Sequence, residues 1–283
     1  MICSIYLIFG VVLTQQLHGQ NLTDRPQVAR RIFLETVKSK LGDLKIIQAR
    51  LKRWQKRLLL QKIVEAGQPA NRDAKLVEMV RRTDQNHVEF GVEGADAINQ
   101  PISDLMFQSD MMLDLKQVES LSDNSTQKRS KRQAQTGPSF PHNQWPTGSP
   151  ISFYFDSSIA PDTRRLIRSA IRHWQENTCL KFQENGQTQP KIKFFKGGGC
   201  YSQVGRDYGA YEQIISIGRG CEQFGIITHE LAHTLGYFHG QARHDRDSYI
   251  NVIYPNLTPQ LVSQFIKQSK QTNNNFNIDY DYG

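Results

Sequence analysis

The sequence predicts a mixed α/β (α+β) fold: a twisted mixed sheet, a backing helix, a second helix that carries the chemistry, and a helical segment ahead of them all. Three observations predict it. From Ile151 to Ile217 the chain reads strand, helix, strand, strand, and a helix with paired histidines follows. Apolar residues between Pro26 and about Gln61 recur at threes and fours, the period of a helix with one buried stripe. A basic cluster ending at Arg132 divides the 283-residue chain into halves of unlike composition.

In chain order, Ile5 to Leu13 is a short uncharged apolar run, followed by Gln15, Gln16 and His18. A bilayer span takes about 20 apolar residues, so the run reads instead as a secretory signal peptide, residues 1–19, with small Gly19 before the cut. No other stretch approaches that length, and no membrane span is predicted. Asn21-Leu22-Thr23, Asn124-Ser125-Thr126 and Asn256-Leu257-Thr258 are N-glycosylation acceptor sequences, which suits a secreted, extracellular chain. Cys3 falls within the signal peptide. The others, Cys179, Cys200 and Cys221, are odd in number in a compartment that favours disulfides, so one thiol is left over.

The stripe after Pro26 consists of Val37, Leu41, Leu44, Ile47, Leu51, Trp54 and Leu58, with Lys and Arg on the other faces. A basic amphipathic helix can suit a membrane surface or a calmodulin-type partner, but a solvated helix packing on its own domain is the commoner outcome. Residues 62–132 are polar and turn-rich and end in Lys128-Arg129-Ser130-Lys131-Arg132-Gln133. Arg-x-Lys-Arg resembles the recognition sequence of furin-like proprotein convertases, which would cut between Arg132 and Gln133. Residues 20–132 then form a pro-segment and residues 133–283 the mature part. Of the chain's net charge of +8, the part up to Arg132 carries +6 and the remainder +2. Much of the positive charge is therefore removable, and no nucleic-acid binding is inferred from it.

The second half opens with Pro141, Trp145 and Pro150, then Ile151-Ser152-Phe153-Tyr154-Phe155, a strand. Pro161-Asp162-Thr163 starts a helix whose buried face is Leu166, Ile167, Ala170, Ile171 and Trp174. Lys191 to Phe195 is a further strand, and Gly197-Gly198-Gly199 a tight loop. No P-loop Lys-Ser/Thr follows the glycines, which excludes a phosphate cradle of that kind. Gln213 to Ile217 alternates as another strand before Cys221 leads into the histidine helix.

That helix begins the stretch His229-Glu230-Leu231-Ala232-His233-Thr234-Leu235-Gly236-Tyr237-Phe238-His239. Positions four apart share a helix face about 6 Å apart along the axis, so His229 and His233 can close on one zinc ion at about 2.0–2.1 Å. A straight helix would carry His239 roughly 15 Å beyond His229, so the chain must turn back. Gly236 sits where a residue free to adopt positive φ is needed. Glu230 is placed to act on water at the metal rather than to bind it. A chance match to the full pattern has odds on the order of 10⁻⁵.

His229 to His239, followed by Arg243-His244-Asp245-Arg246-Asp247-Ser248-Tyr249, resembles the astacin family of secreted zinc endopeptidases in the metzincin clan. Cys179, Cys200-Tyr201-Ser202-x-Val204-Gly205, Arg219-Gly220-Cys221 and the tail Asn275-Phe276 through Tyr280-Asp281-Tyr282 are similar to that family's pattern, so the resemblance covers roughly residues 138–283. It implies a metzincin-like upper subdomain, one Zn²⁺ per chain held by His229, His233 and His239, Glu230 as catalytic base toward protein or peptide substrates, and a Cys200–Cys221 disulfide. It also implies that the strand Gln213–Ile217 lines the cleft and holds an extended peptide by edge pairing. Phe107-Gln108-Ser109-Asp110 resembles the Phe-x-Gly-Asp motif of the family's propeptides, whose Asp occupies the zinc in the latent enzyme. Asp110 is the corresponding carboxylate, with Ser109 in place of the usual Gly.

Two departures qualify the resemblance. Gly240 stands where the family carries a Glu that meets the new N-terminus. The Ser-x-Met-His-Tyr turn that follows Tyr-Asp-Tyr in the family is not reached by Gly283, and the five methionines (1, 79, 106, 111 and 112) all precede Arg132. The lower subdomain and the cysteine that would pair with Cys179 are expected in that missing part. The alternative expectation is a truncated, non-catalytic zinc-binding isoform or an incomplete fragment of such a protease.

Overall fold

The computed structural model describes residues 25–38, 45–53, 95–122, 143–253, 257 and 259–270. The signal peptide, the Arg132–Gln133 bond, Asn21, Asn124, Asn256 and the Tyr280–Tyr282 tail lie outside the described residues.

Helix α1 (Arg25–Lys38) and helical residues 45–53 (α2) carry part of the expected stripe. Leu41, Leu44, Trp54 and Leu58 lie outside the described residues. The described part divides between two cores. Phe33 and Val37 join Ile102, Leu105, Met106 and Met112 against Tyr201 and Ile214. Ile47 and Leu51 join Phe107, Met111, Leu113 and Val118 against Val204, Phe238 and Ile266. Helix α1 therefore packs on residues of its own half and on the second half as well, with the Phe33 ring edge-on to Tyr201 at 5.0 Å.

Residues 95–122 were expected to be turn-rich, yet they hold α3 (Ala95–Asn99), the two-residue strand β1 (Met111–Met112) and α4 (Leu115–Ser122). Met111 and Met112 go to different cores because successive strand side chains point to opposite faces. A reciprocal cap opens α4: Asp114 Oδ1 accepts the Gln117 N–H at 2.8 Å, and the Asp114 N–H donates to Gln117 Oε1 at 2.8 Å.

The second half contains β2 (Ile151–Phe155), α5 (Pro161–Asn177), β3 (Phe182–Glu184), β4 (Lys191–Phe195), β5 (Cys200–Gln203), β6 (Glu212–Ile217) and α6 (Phe224–Thr234). Pro161 stands in the first turn of α5, where its missing N–H costs nothing, and Ile167, Ala170 and Ile171 are its buried face. The strands form one mixed sheet in the order β1-β5-β6-β4-β2-β3, parallel throughout except for the antiparallel β5–β6 pair. On one face α5 and α6 enclose a core of Trp145, Phe153, Phe194, Ile215, Ile217, Ile227 and Leu231. The other face meets α1 and residues 102–106 through Tyr201 and Ile214.

One expectation is overturned. Strand β6 is interior, paired with β4 on one side and β5 on the other, so Gln213–Ile217 has no edge to offer a peptide. The strand beside the histidines is β5, and its outer edge is taken by β1, with Met111 opposite Ser202 and Met112 opposite Gln203. A Cys200–Cys221 disulfide, Cα to Cα 5.6 Å, fastens β5 to the turn before α6. Cys179 is an exposed free thiol.

Candidate active site

Helix α6 delivers His229, Glu230 and His233, and its end is a Schellman closure built on Gly236. The Tyr237 N–H reaches the Ala232 carbonyl at 3.0 Å and the Gly236 N–H reaches that of His233 at 2.8 Å. Gly236 has φ 107°, which reverses the chain and returns His239 to the metal-facing side. The helix end is held from two sides: Trp145 Nε1–H donates to the Thr234 carbonyl at 2.7 Å, and the Gly205 N–H to that of His233 at 2.9 Å. Ser202 Oγ, on β5, donates to the Glu230 carbonyl at 2.9 Å.

The three imidazoles converge. His229 Nε2 lies 3.0 Å from His233 Nε2 and 3.2 Å from His239 Nε2. Asp110 completes the group, with Oδ2 at 3.2 Å from His229 and 3.0 Å from His239, and Oδ1 at 3.7 Å from His233. Four donors around zinc at about 2.0–2.1 Å stand roughly 3.3 Å apart in a tetrahedron. The contacts through His229 and His239 are close to that spacing, and one ligand atom from each of the four residues lies within 4.8 Å of the others. Far-side hydrogen bonds set the tautomers. His233 Nδ1–H donates to the Tyr237 carbonyl at 2.8 Å and His239 Nδ1–H to Gln108 Oε1 at 3.2 Å, which leaves each Nε2 lone pair directed inward. Burial, then the neighbouring His229, pushes the His233 imidazolium down to about 4, so the ring is neutral, as a ligand must be. Burial works against the Asp110 charge, but His239 and His233 outweigh it and hold the carboxyl well below the usual range.

Glu230 is fully buried beside this cluster, and neither carboxyl oxygen has a hydrogen-bond partner among the described residues. Burial first and the Asp110 charge second push its pKa well up, with His229 and Ser202 opposing. A buried carboxyl without a protein partner, set next to a metal-ligand group, is suited to moving a proton rather than to holding the fold together.

Asp110 arrives on a turn in which Gln108 and Ser109 both have positive φ, 47° and 70°. The turn keeps the backbone that glycine would favour, and its side chains are fixed from residues 259–270. Gln264 Nε2–H donates to Ser109 Oγ at 2.5 Å, and Gln108 Nε2–H donates to the Gln264 carbonyl at 3.1 Å. Gln264, Gln108 and the Tyr237 carbonyl carried no signal in the sequence, since glutamines and main-chain acceptors belong to no ligand pattern. Gly240 begins a 3₁₀ turn (Gly240–Ala242) after His239 and brings no side chain to the site.

A family model described as Astacin, a family of peptidases, matches residues 138–283. Zinc metalloproteinase nas-31 of Caenorhabditis elegans is 39% identical over 188 residues, which cover 64% of this chain and 30% of that protein. Zinc metalloproteinase nas-37 of the same organism is 39% identical over 186 residues, or 66% of this chain and 23% of that one. The chain thus spans less than a third of the length of these two relatives. Among solved structures, High choriolytic enzyme 1, a hatching enzyme zinc-protease from Oryzias latipes, is 38% identical, with 47% of this chain and 64% of that chain covered at a TM-score of 0.42. Among the described residues no helix is long and apolar enough to cross a membrane.

Proposed function

Because the chain belongs to the astacin family of peptidases, we propose that it is a zinc-dependent endopeptidase made as a latent, secreted zymogen. The observation that carries this reading is the four-donor cluster with the buried, partnerless carboxyl of Glu230 at its side. His229, His233 and His239 would hold the zinc, with the Asp110 carboxylate as a further donor in the latent chain. Zn²⁺ bound there would supply Lewis acidity toward the scissile carbonyl and toward water. Glu230 accepts a proton from the attacking water, the water oxygen bonds to the carbonyl carbon, and the proton passes to the amide nitrogen as the C–N bond breaks. Protein or peptide substrates pair in extended form along β5, on the edge that β1 covers in the zymogen. Release follows cleavage by a furin-like convertase between Arg132 and Gln133. The signal sequence and the acceptors Asn21, Asn124 and Asn256 support secretion and glycosylation.

Glu230→Gln should abolish hydrolysis of a denatured protein substrate while zinc content stays at one per chain. Asp110→Ala should weaken zinc retention by the uncut chain, read by titration against a chelator, because one of the four donors is lost. A Gln variant, free of contaminating protease, that cleaves as fast as its parent would sink the role of Glu230.

A further inference from the structure

The glycines at 198 and 199 have a shape requirement that lies outside the second half itself. A Cβ at Gly198 would meet the Ala29 carbonyl oxygen at 2.3 Å and its carbon at 3.0 Å. A Cβ at Gly199 would meet Asn99 Oδ1 at 2.3 Å and Ile102 Cδ1 at 2.9 Å. Every one of these nearest atoms belongs to a residue ahead of Arg132. Neither glycine has a positive φ, so backbone conformation does not call for glycine here; close approach does.

Asn99 lies in the same place and is fully buried. Its Oδ1 accepts the Cys200 N–H at 2.8 Å, while Nδ2–H donates to the Cys200 carbonyl and, at 3.1 Å, to that of Ser109. One side-chain amide thus meets both main-chain groups of a β5 residue, as a residue of a neighbouring strand would. Backbone pairing takes over two residues on, where the Ser202 N–H donates to the Asp110 carbonyl at 3.1 Å. Phe33 on Tyr201 adds an aromatic contact beside it.

We propose that Gly198, Gly199 and the main chain of Cys200 form a docking cradle for this chain's own pro-segment, filled by Ala29 of α1 and by Asn99, and that it holds the pro-segment independently of Asp110. The proposal rests on reading residues 20–132 as a removable pro-segment. Its consequence is that cutting the chain and freeing the histidines are separate events. A cut pro-segment stays seated until the cradle lets go.

The test uses the full chain in an Asp110→Ala background, with a site-specific protease sequence inserted between Arg132 and Gln133. After the cut, in the presence of a chelator, the two parts should co-elute on size exclusion, and their dissociation constant is measured by titration. Gly198→Ala, Gly199→Ala and Asn99→Ala should each weaken the pair at least tenfold. Gly199→Ala combined with Asn99→Ala should be no weaker than the worse single variant, because both remove the same contact. A folding defect from Gly199→Ala would add to the Asn99 loss instead. Immediate separation of the parent pair, unchanged affinity in all three variants, or additive losses would overturn the cradle. No arm reads peptide hydrolysis, so a pair that docks but never cleaves substrate would sink the proposed activity and leave the cradle standing.

Discussion

Ser109 is held at φ 70° on the turn that presents Asp110, and its hydroxyl accepts a hydrogen bond from Gln264. The two effects oppose each other in a substitution. A non-glycine residue in the left-handed region costs about 1–2 kcal/mol, and the buried hydrogen bond contributes about 1 kcal/mol. Ser109→Gly exchanges one for the other and should leave stability nearly unchanged. Ser109→Ala keeps the backbone cost, loses the bond, and should be less stable than the Gly variant by about 1 kcal/mol. Denaturant unfolding of both variants checks the order; equal stabilities would mean that the turn carries no strain at 109. At this scale much of the site could be read from the chain alone. His229 and His233 are linked by helix geometry, His239 by the need to turn at Gly236, and Asp110 by a short motif. Gln264 and Asn99 could not be read, because their partners lie 155 and 101 residues away and amide side chains suit almost any surface.

Helix α6 depends on its terminal glycine more than on propensity. The position of Gly236 has room for a methyl group, with Gly205 Cα the nearest atom at 3.9 Å, so the cost of Gly236→Ala is backbone strain at φ 107°, of order 1–3 kcal/mol. That strain can be relieved only by moving the segment that bears His239. The variant should lose both thermal stability and zinc stoichiometry, read by melting and by metal analysis. Helix α4 offers a pH-dependent case. Burial raises the Asp114 pKa, the Gln117 amide opposes, and Asp207 raises it further. A raised carboxyl stabilises the fold fully below its unfolded value of about 4 and loses that contribution as pH rises through the folded value. Asp114 therefore works against the docked helix at neutral pH. Asp114→Asn keeps an oxygen for the Gln117 N–H and should raise the melting temperature at pH 7, with the gain shrinking toward pH 4. The longer elements were legible because periodicity needs length: five residues sufficed for β2 and β4, and α5 shows its apolar face plainly. Strands β1, β3 and β5 have two to four residues and no resolvable alternation. The edge role expected of Gln213–Ile217 came with the resemblance, and only the pairing of β6 with both β4 and β5 corrects it.

Among the described residues, two of the three apolar cores take buried members from both sides of the predicted cleavage point, and Ala95 and Ile98 pack against the third. Tyr201, Ile214 and the partly buried Phe195 are covered by α1 and residues 102–112, and Val204, Phe238 and Ile266 by α2, β1 and α4. A division into halves is what the basic run and the charge balance predict. Their shared cores were not legible, since nothing local in a sequence names a partner a hundred positions away. Residues 133–283 produced without the preceding segment should expose those faces and show greater binding of an apolar fluorescent dye, and lower soluble yield, than the full chain. Equal dye binding would mean that the second half closes its own surface. The connection from Ser122 to Asn143 gives the cradle a further property. A short tether keeps its two ends at an effective concentration of order mM, whatever the amount of protein in solution. Scission replaces that figure with the bulk concentration of the pieces. Dilution leaves the cradle of an intact chain filled, whereas a cut chain brought from a concentrated to a dilute solution is emptied by dilution itself.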